Sequence, residues 1–380
     1  MRLYTGLFLL FLSINLSAQT TLNLSLEHDG IERDYGLYIP ANYTGDESVP
    51  LLFNFHGFGS NGFEQQFYGD FRAIADTAGF ILVHPEGTLL NNNAHWNVGG
   101  FTIGSTTDDV GFTAAMIDSI SANYNINAER IYSTGMSNGG YFSFLLACQL
   151  SDQIAAIASV TGSMTPETYN ACDPQHPTPV MQIHGTEDET VPYDGGVLWS
   201  QSIDEVMAYW IDFNNCSETP EVIEVPDVNP NDNCTADRFI YRNTDTQINT
   251  EHFKVYDGGH TWPGAVFNFA GTNQDFNASD EIWKFFSQYD INGYNPIINT
   301  STKEVSVEKL SVFPNPATTS VQIKGSITAP IPYRIINSTG QSCKSGILTE
   351  QDQLIDLSEL PADLYLLNTA TQSIKILKIN

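Results

Sequence analysis

The chain has 380 residues, with 44 Asp and Glu against 15 Lys and Arg, for a formal net charge of −29. Such a surface repels nucleic acid phosphate and anionic lipid headgroups, which makes both poor partners, and no nucleic acid partner is expected; it suits a neutral substrate and also keeps an exported chain soluble. The length allows a large core and two domains.

Met1-Arg2, an apolar run from Leu7 to Leu12 and the junction Leu16-Ser17-Ala18-Gln19 predict a secretory signal peptide over 1–18, cut after Ala18. The run is far shorter than the roughly 20 residues of a membrane-spanning helix, and no later segment is long and apolar enough to cross a bilayer, so no membrane span is expected. From Leu22 to Tyr38 polar and apolar residues alternate, which predicts antiparallel edge strands. Val49–Phe55, Phe80–Val83, Ile131–Ser133, Ile154–Val160 and Val180–Ile183 are short apolar runs of the kind that strands buried on both faces show. Helical patterns lie between them, among them the stripe Phe112, Met116, Ile117, Ile120 and Tyr124 introduced by Asp108-Asp109, and a helix over Asp280–Tyr289 closes the region. This alternation predicts an α/β domain over 19–290 with a mostly parallel, doubly wound sheet. Asn, Ser and Thr dominate a linker over 291–306. Residues 307–380, with alternating segments at Val321–Ile323, Tyr333–Ile336, Leu364–Leu367 and Ile374–Ile379, predict a small all-β, sandwich-like module.

The chemistry concentrates in loops after the buried runs. Gly135-Met136-Ser137-Asn138-Gly139 follows an apolar strand and precedes an apolar helix-compatible run, the G-x-S-x-G pattern of a serine on a sharp strand-to-helix turn. A serine hydroxyl needs a base to take its proton and a carboxylate to orient that base. Both follow in the order Ser, Asp, His: Asp188 past the strand Val180–Ile183, preferred over its neighbours Glu187 and Glu189, and His260 in Gly258-Gly259-His260-Thr261-Trp262. His56, His84 and His184 read as structural, and His28, His95, His176 and His252 have no supporting context. A tetrahedral intermediate needs two donors for its oxyanion. These are assigned to the backbone N–H of Asn138 and that of Phe58 in His56-Gly57-Phe58-Gly59. Trp96 and Trp262 are candidates to line an acyl or aromatic-ring pocket, core packing being the alternative. Of the five cysteines, local pairing joins Cys148 to Cys172 and Cys216 to Cys234 and leaves Cys343 alone. None has metal-ligand spacing, so neither a metal nor an organic cofactor is expected.

Five ordered motifs carry a family resemblance: His56-Gly57, Asp108-Asp109-Val110-Gly111-Phe112, Gly135 to Gly140, His184-Gly185-Thr186-Glu187-Asp188 with Val191-Pro192-Tyr193, and Gly258 to Gly264. Over about 25–290 the chain resembles the secreted polyhydroxybutyrate depolymerase and feruloyl esterase family, close to family 1 of the carbohydrate esterases. The resemblance implies an α/β-hydrolase fold and a metal-independent serine esterase with Ser137, Asp188 and His260 as its triad. Its disulfides match the local cysteine pairing. One departure concerns the acyl pocket: Phe58 stands where the family often has Cys. The C-terminal region, with Phe313-Pro314-Asn315-Pro316-Ala317, Ile355 to Pro361 and a Lys-rich alternating end, resembles the sorting domain of type IX secretion. It departs where Ala362-Asp363-Leu364, rather than Gly, precedes Tyr365, and a carbohydrate-binding sandwich is the alternative. The expected function is hydrolysis of carboxylic esters of an extracellular polymer, either feruloyl or acetyl esters of plant polysaccharide or a polyhydroxyalkanoate polyester. The expected partners are that polymeric or aryl/acyl ester and the secretion machinery. The rival readings are a non-catalytic polysaccharide-binding protein on a hydrolase scaffold and a peptidase on the same fold.

Overall fold

The computed structural model describes residues 19–267, 269–295, 310–325, 331–337, 342–349, 353–369 and 373–379. The expected signal peptide and most of the expected linker, 296–306, lie outside the described residues. The described residues fall into two compact units, within 1–299 and within 300–380.

The first unit opens with β1 (Thr20–His28) and β2 (Ile31–Ile39), an antiparallel pair. Asp29 and Gly30 connect them with φ of 54° and 76°, the left-handed pair that an Asp-Gly hairpin accommodates. Then follow β3 (Val49–Phe55), α1 (Gly62–Tyr68), α2 (Arg72–Ala78), β4 (Ile81–Pro85) and the small hairpin β5 (Thr88–Leu90) and β6 (Asn93–His95). Next come α3 (Asp109–Asn123), β7 (Ile126–Met136), α4 (Asn138–Gln149), β8 (Ala156–Val160), α5 (Pro166–Ala171) and β9 (Val180–Gly185). The unit ends with α6 (Ile203–Phe213), β10 (Glu221–Val225), β11 (Thr235–Arg242), β12 (Asn249–Tyr256), α7 (Ala278–Phe286) and the hairpin β13 (Tyr289–Asp290) and β14 (Gly293–Tyr294).

Ten strands form one sheet in the order β1-β2-β4-β3-β7-β8-β9-β12-β11-β10. The six from β4 to β12 are parallel, and an antiparallel ribbon flanks them on each side. Both faces are buried, which is why the central strands lack polar alternation. Leu51, Phe53 and Phe55 of β3 and Ile131 of β7 pack on one face with Phe112, Phe144 and Trp210 from α3, α4 and α6. Leu52 and Tyr132, one residue out of phase, pack on the other with Ala75 of α2 and Ile282 and Phe286 of α7. Truncating a buried ring such as Phe53 to Ala costs about 3–5 kcal/mol.

Asp108 caps α3, accepting from Gly111 N–H at 2.9 Å, as the acidic pair in the sequence suggests. At the other end, α7 starts two residues before the expected Asp280, because the Asn277 side chain accepts from Ser279 and Asp280 N–H. It stops at Phe286 because Tyr289 is drawn into β13. The first unit therefore runs a few residues past 290, with Ile291 N–H bonded to Glu129 O at 2.8 Å.

Cys148 of α4 and Cys172 at the end of α5 form a disulfide. Cys216 and Cys234 do not, which corrects the expected second pair. Cys234 immediately precedes β11, while Cys216 sits at its far end, where Ser217 N–H bonds Arg242 O. Seven strand steps separate those ends by roughly 23 Å, far beyond the roughly 7 Å Cα limit of a disulfide.

In the second unit β15 (Ser311–Phe313), β16 (Ser320–Lys324) and β19 (Leu354–Asp356) form one antiparallel sheet. A second antiparallel sheet has the order β18 (Ser342–Leu348), β17 (Ile331–Ile336), β20 (Asp363–Thr369), β21 (Ser373–Lys378). Val321, Ile323 and Ile355 from the first sheet share a core with Ile335, Tyr365, Leu367 and Ile376 from the second, a small sandwich-like arrangement. Cys343 lies on β18.

Candidate active site

Ser137 occupies the single residue between β7 and α4, with φ 54° and ψ −118°. This left-handed conformation is costly for a residue with a Cβ, and strain of this kind concentrates at functional sites. The turn is held from both sides, by Ser137 N–H to Val160 O at 2.8 Å and by the crossing of Gly139 over β3. A Cβ on Gly139 would lie 2.2 Å from Phe55 O, so the second glycine of the pattern is a packing requirement.

His260 stands in the loop after β12, partly exposed, and its Nδ1 lies 2.8 Å from Asp188 Oδ2. Asp188 follows β9 and is buried. Its Oδ1 accepts from Thr190 and Val191 N–H at 2.9 and 2.8 Å. His184 approaches the same carboxylate, with Nε2 at 3.4 Å from Oδ2 and 2.9 Å from Val191 O. Burial pushes the His184 pKa down to about 4, so near neutral pH its ring is uncharged. Gln182 Nε2 donates to its Nδ1 at 2.9 Å, which leaves Nε2–H as the donor towards the Asp188 loop. Glu187 and Glu189 are exposed. With Nδ1–H given to Asp188, His260 keeps an Nε2 lone pair for a serine proton.

Ser137 and His260 line one cavity of about 500 Å³. In this conformation no Ser137 Oγ hydrogen bond forms among the described residues; such bonds tighten when substrate binds. The turn after β3 closes on the serine from the other side, for a Cβ on Gly57 would lie 3.5 Å from Ser137 Cβ. Among the described residues neither Phe58 N–H nor Asn138 N–H donates to a protein acceptor, and Asn138 opens α4, where the helix dipole favours negative charge. His56, buried and uncharged with its pKa pushed down to about 4, bonds Gly57 O through Nδ1 at 2.7 Å and accepts Gly87 N–H at Nε2, 3.0 Å. Gly57 C=O and Phe58 N–H share one trans peptide plane and point oppositely, so His56 also fixes where Phe58 N–H points.

Phe58, Phe63, Phe67, Tyr68, Met136, Phe267 and Phe269 form most of the remaining cavity wall, with Gly57 and the polar Ser60, Glu64 and Gln65 beside them. Trp96 and Trp262, expected along it, are not among its lining residues; both are buried in the scaffold. Trp96 stacks on Phe142, centroids 5.3 Å apart, and donates Nε1–H to His56 O. Trp262 packs against Gly69 and Phe71 and donates Nε1–H to Ser279 Oγ. Proximity in sequence to functional positions did not predict which way either ring turns. Sequence reasoning tied Phe58 to the acyl pocket but missed Phe63, Phe67, Phe267 and Phe269. The available signal was Phe63 and Phe67, four apart on a short helix whose intervening residues are polar, an aromatic pair left for solvent or ligand. Among the described residues, no three His, Cys, Asp or Glu side chains converge as a metal-binding group.

The parallel-centred sheet covered on both faces, with a serine on the strained turn after a central strand, defines the α/β-hydrolase class. An acetyl xylan esterase from Aspergillus awamori shares the fold, with a TM-score of 0.52 over 70% of this chain and 98% of that one at 13% identity. A family model described as putative esterase matches residues 30–274, and the chain belongs to that esterase family. A second model, the secretion system C-terminal sorting domain, matches residues 311–379, which makes the second unit the sorting domain of an exported chain. Among curated relatives, a bifunctional acetylxylan esterase/xylanase from Neocallimastix patriciarum is 27% identical over 72% of this chain and 36% of its own length. Feruloyl esterase B from Piromyces equi is 29% identical over 58% of this chain and 41% of its own. The chain thus spans less than half the length of these two relatives.

Proposed function

We propose that the chain is an exported serine esterase that releases aromatic acyl groups from an extracellular polysaccharide. The observation that carries the reading is the joint one of Ser137 and His260 in one cavity with His260 held to buried Asp188. Ser137 Oγ attacks the ester carbonyl while its proton passes to His260 Nε2, and Asp188 keeps the imidazole oriented through Nδ1–H. Phe58 and Asn138 N–H receive the developing oxyanion. The tetrahedral intermediate collapses to an acyl-serine, and the departing alkoxide takes the proton from His260. Water, activated by the same imidazole, then attacks the acyl-serine and frees the carboxylic acid.

The aromatic wall favours an aryl acyl group, since an acetyl group leaves most of it unfilled. The relatives' descriptions, feruloyl and acetylxylan esterase, agree with a polysaccharide ester in either case. The test is hydrolysis by the purified full chain of methyl ferulate and methyl acetate, which share a leaving group, beside a polyhydroxybutyrate suspension. Methyl ferulate is expected to have the higher kcat/KM by on the order of 10- to 100-fold, the discrimination that apolar contacts supply. Equal or preferred methyl acetate would make it an acetyl esterase, and release from polyhydroxybutyrate alone a polyester hydrolase.

A further inference from the structure

Trp96 is bonded to both loops that carry the proposed oxyanion donors. Its Nε1–H donates to His56 O at 2.9 Å, at the start of the turn that bears Phe58. Its main chain is held by the side chain of Asn138, with Trp96 N–H to Oδ1 at 2.7 Å and Nδ2–H to Trp96 O at 3.0 Å. All of these groups are fully buried, so no solvent competes for the bonds. The ring packs against Phe142 at 5.3 Å and an edge-on Phe55 at 5.0 Å. The next residue fixes the loop to the scaffold, as Asn97 N–H bonds Asp109 Oδ2 at 2.7 Å and Asp109 pairs with buried Arg33 at 2.7 Å.

We propose that Trp96 is a positioning residue of the oxyanion hole: it sets the separation of Phe58 N–H and Asn138 N–H by bonding to the chain on both sides. The proposal rests on the serine-esterase reading above. An oxyanion donor acts only within about 2.7–3.1 Å of the developing charge, a demand that the bound ester does not make. Loosening the bridge therefore lowers kcat and leaves KM nearly unchanged.

The experiment uses the full chain with Trp96→Phe, which keeps a ring in the stack but removes the indole donor, and Asn138→Ala, which removes the clamp but keeps the backbone N–H. Phe142→Leu is the control, because it disturbs the same stack without breaking a bond to either loop. Each bridge variant is expected to lose on the order of 10- to 100-fold in kcat at similar KM. The double variant should lose little more than the worse single, since both cut one bridge. Affinity for a trifluoromethyl ketone, which adds Ser137 Oγ to form an oxyanion, should fall in parallel with kcat/KM, while affinity for the product acid holds. Phe142→Leu should lower Tm with kcat within about twofold of wild type. If Trp96→Phe does not fold, Asn138→Ala carries the same comparison. Bridge variants with wild-type kcat and ketone affinity would overturn the proposal, as would a Phe142→Leu that loses kcat equally. Hydrolysis that is unaffected by Ser137→Ala would instead remove the reading of Ser137 as the nucleophile, before any bridge variant is measured.

Discussion

The two halves of this site are built differently. In the proposed mechanism the acid–base half would consist of side chains, Asp188 and His260, each in a loop after a parallel strand, with Asp188 buried under four approaching N–H groups. The oxyanion half would consist of two backbone amides, whose neighbours are bonded from the scaffold: His56 to Gly57 O, and Trp96 to His56 O and Asn138. Trp262, two residues after His260, donates its main-chain N–H to Tyr68 Oη at 3.2 Å and packs its ring edge-on against Phe71. Chemistry carried by side chains is a matter of residue type, whereas chemistry carried by backbone depends on everything that orients the peptide.

This contrast predicts a descending series of effects. On the acid–base side, Asp188→Asn should lower kcat by on the order of 10⁴-fold, because the amide can impose the wrong imidazole tautomer. Steady-state kinetics on methyl ferulate checks this, and a loss below about tenfold would place the orienting carboxylate elsewhere. Away from both halves, replacing Cys148 and Cys172 together by Ser should cost roughly 3 kcal/mol of stability in the chain-entropy model. Thermal melts should show this loss with kcat intact, which separates scaffold from site.

An effect that appears only in acid comes next. Burial pushes His56 and His184 from 6.5 to about 4 and His84 and His252 to about 3. The unfolded chain therefore binds more protons below 6.5 than the folded one. Stability is fully present above about 6.5 and is lost as pH falls through 6.5 towards 4 and 3, at up to about 1.4 kcal/mol per pH unit for each imidazole. Both ring nitrogens of His84 lack a hydrogen-bond partner among the described residues. His84→Leu should accordingly flatten the pH dependence of Tm by one imidazole's share, and an unchanged slope would mean that His84 takes a proton in the fold. The smallest effect is expected at the exposed neighbours of Asp188: Glu187→Gln and Glu189→Gln should stay within about twofold of wild-type kcat.

The legible and illegible parts of the chain divide along the same line. Most of the buried strands declared themselves as short, nearly continuous apolar runs, because both faces of the sheet are covered, and the Ser137, Asp188, His260 order stood in loops at strand ends; β12, buried but polar from Asn249 to His252, did not show such a run. Asp108 and the acidic pair marked the start of α3. The Cys216–Cys234 pairing failed because distance along the chain says nothing about the extended β11 that holds the two cysteines apart. The two tryptophans were misplaced because a motif gives a position but not a rotamer. Phe267 and Phe269 could not be recognised as lining residues without knowing that their loop returns to Ser137. The clamp of Asn138 on Trp96 joins residues 42 positions apart, and no local pattern encodes it.

The account stands most directly on Ser137 as the nucleophile, and a fluorophosphonate probe tests it on the full chain. Oγ attacks phosphorus, fluoride leaves, and the peptide that carries Ser137 gains the phosphonyl group in an intact-protein and peptide mass measurement. The account predicts one label per chain, located at Ser137, absent from Ser137→Ala together with ester hydrolysis, and strongly slowed in His260→Ala. Labelling at another residue, or ester hydrolysis that survives Ser137→Ala, would contradict it.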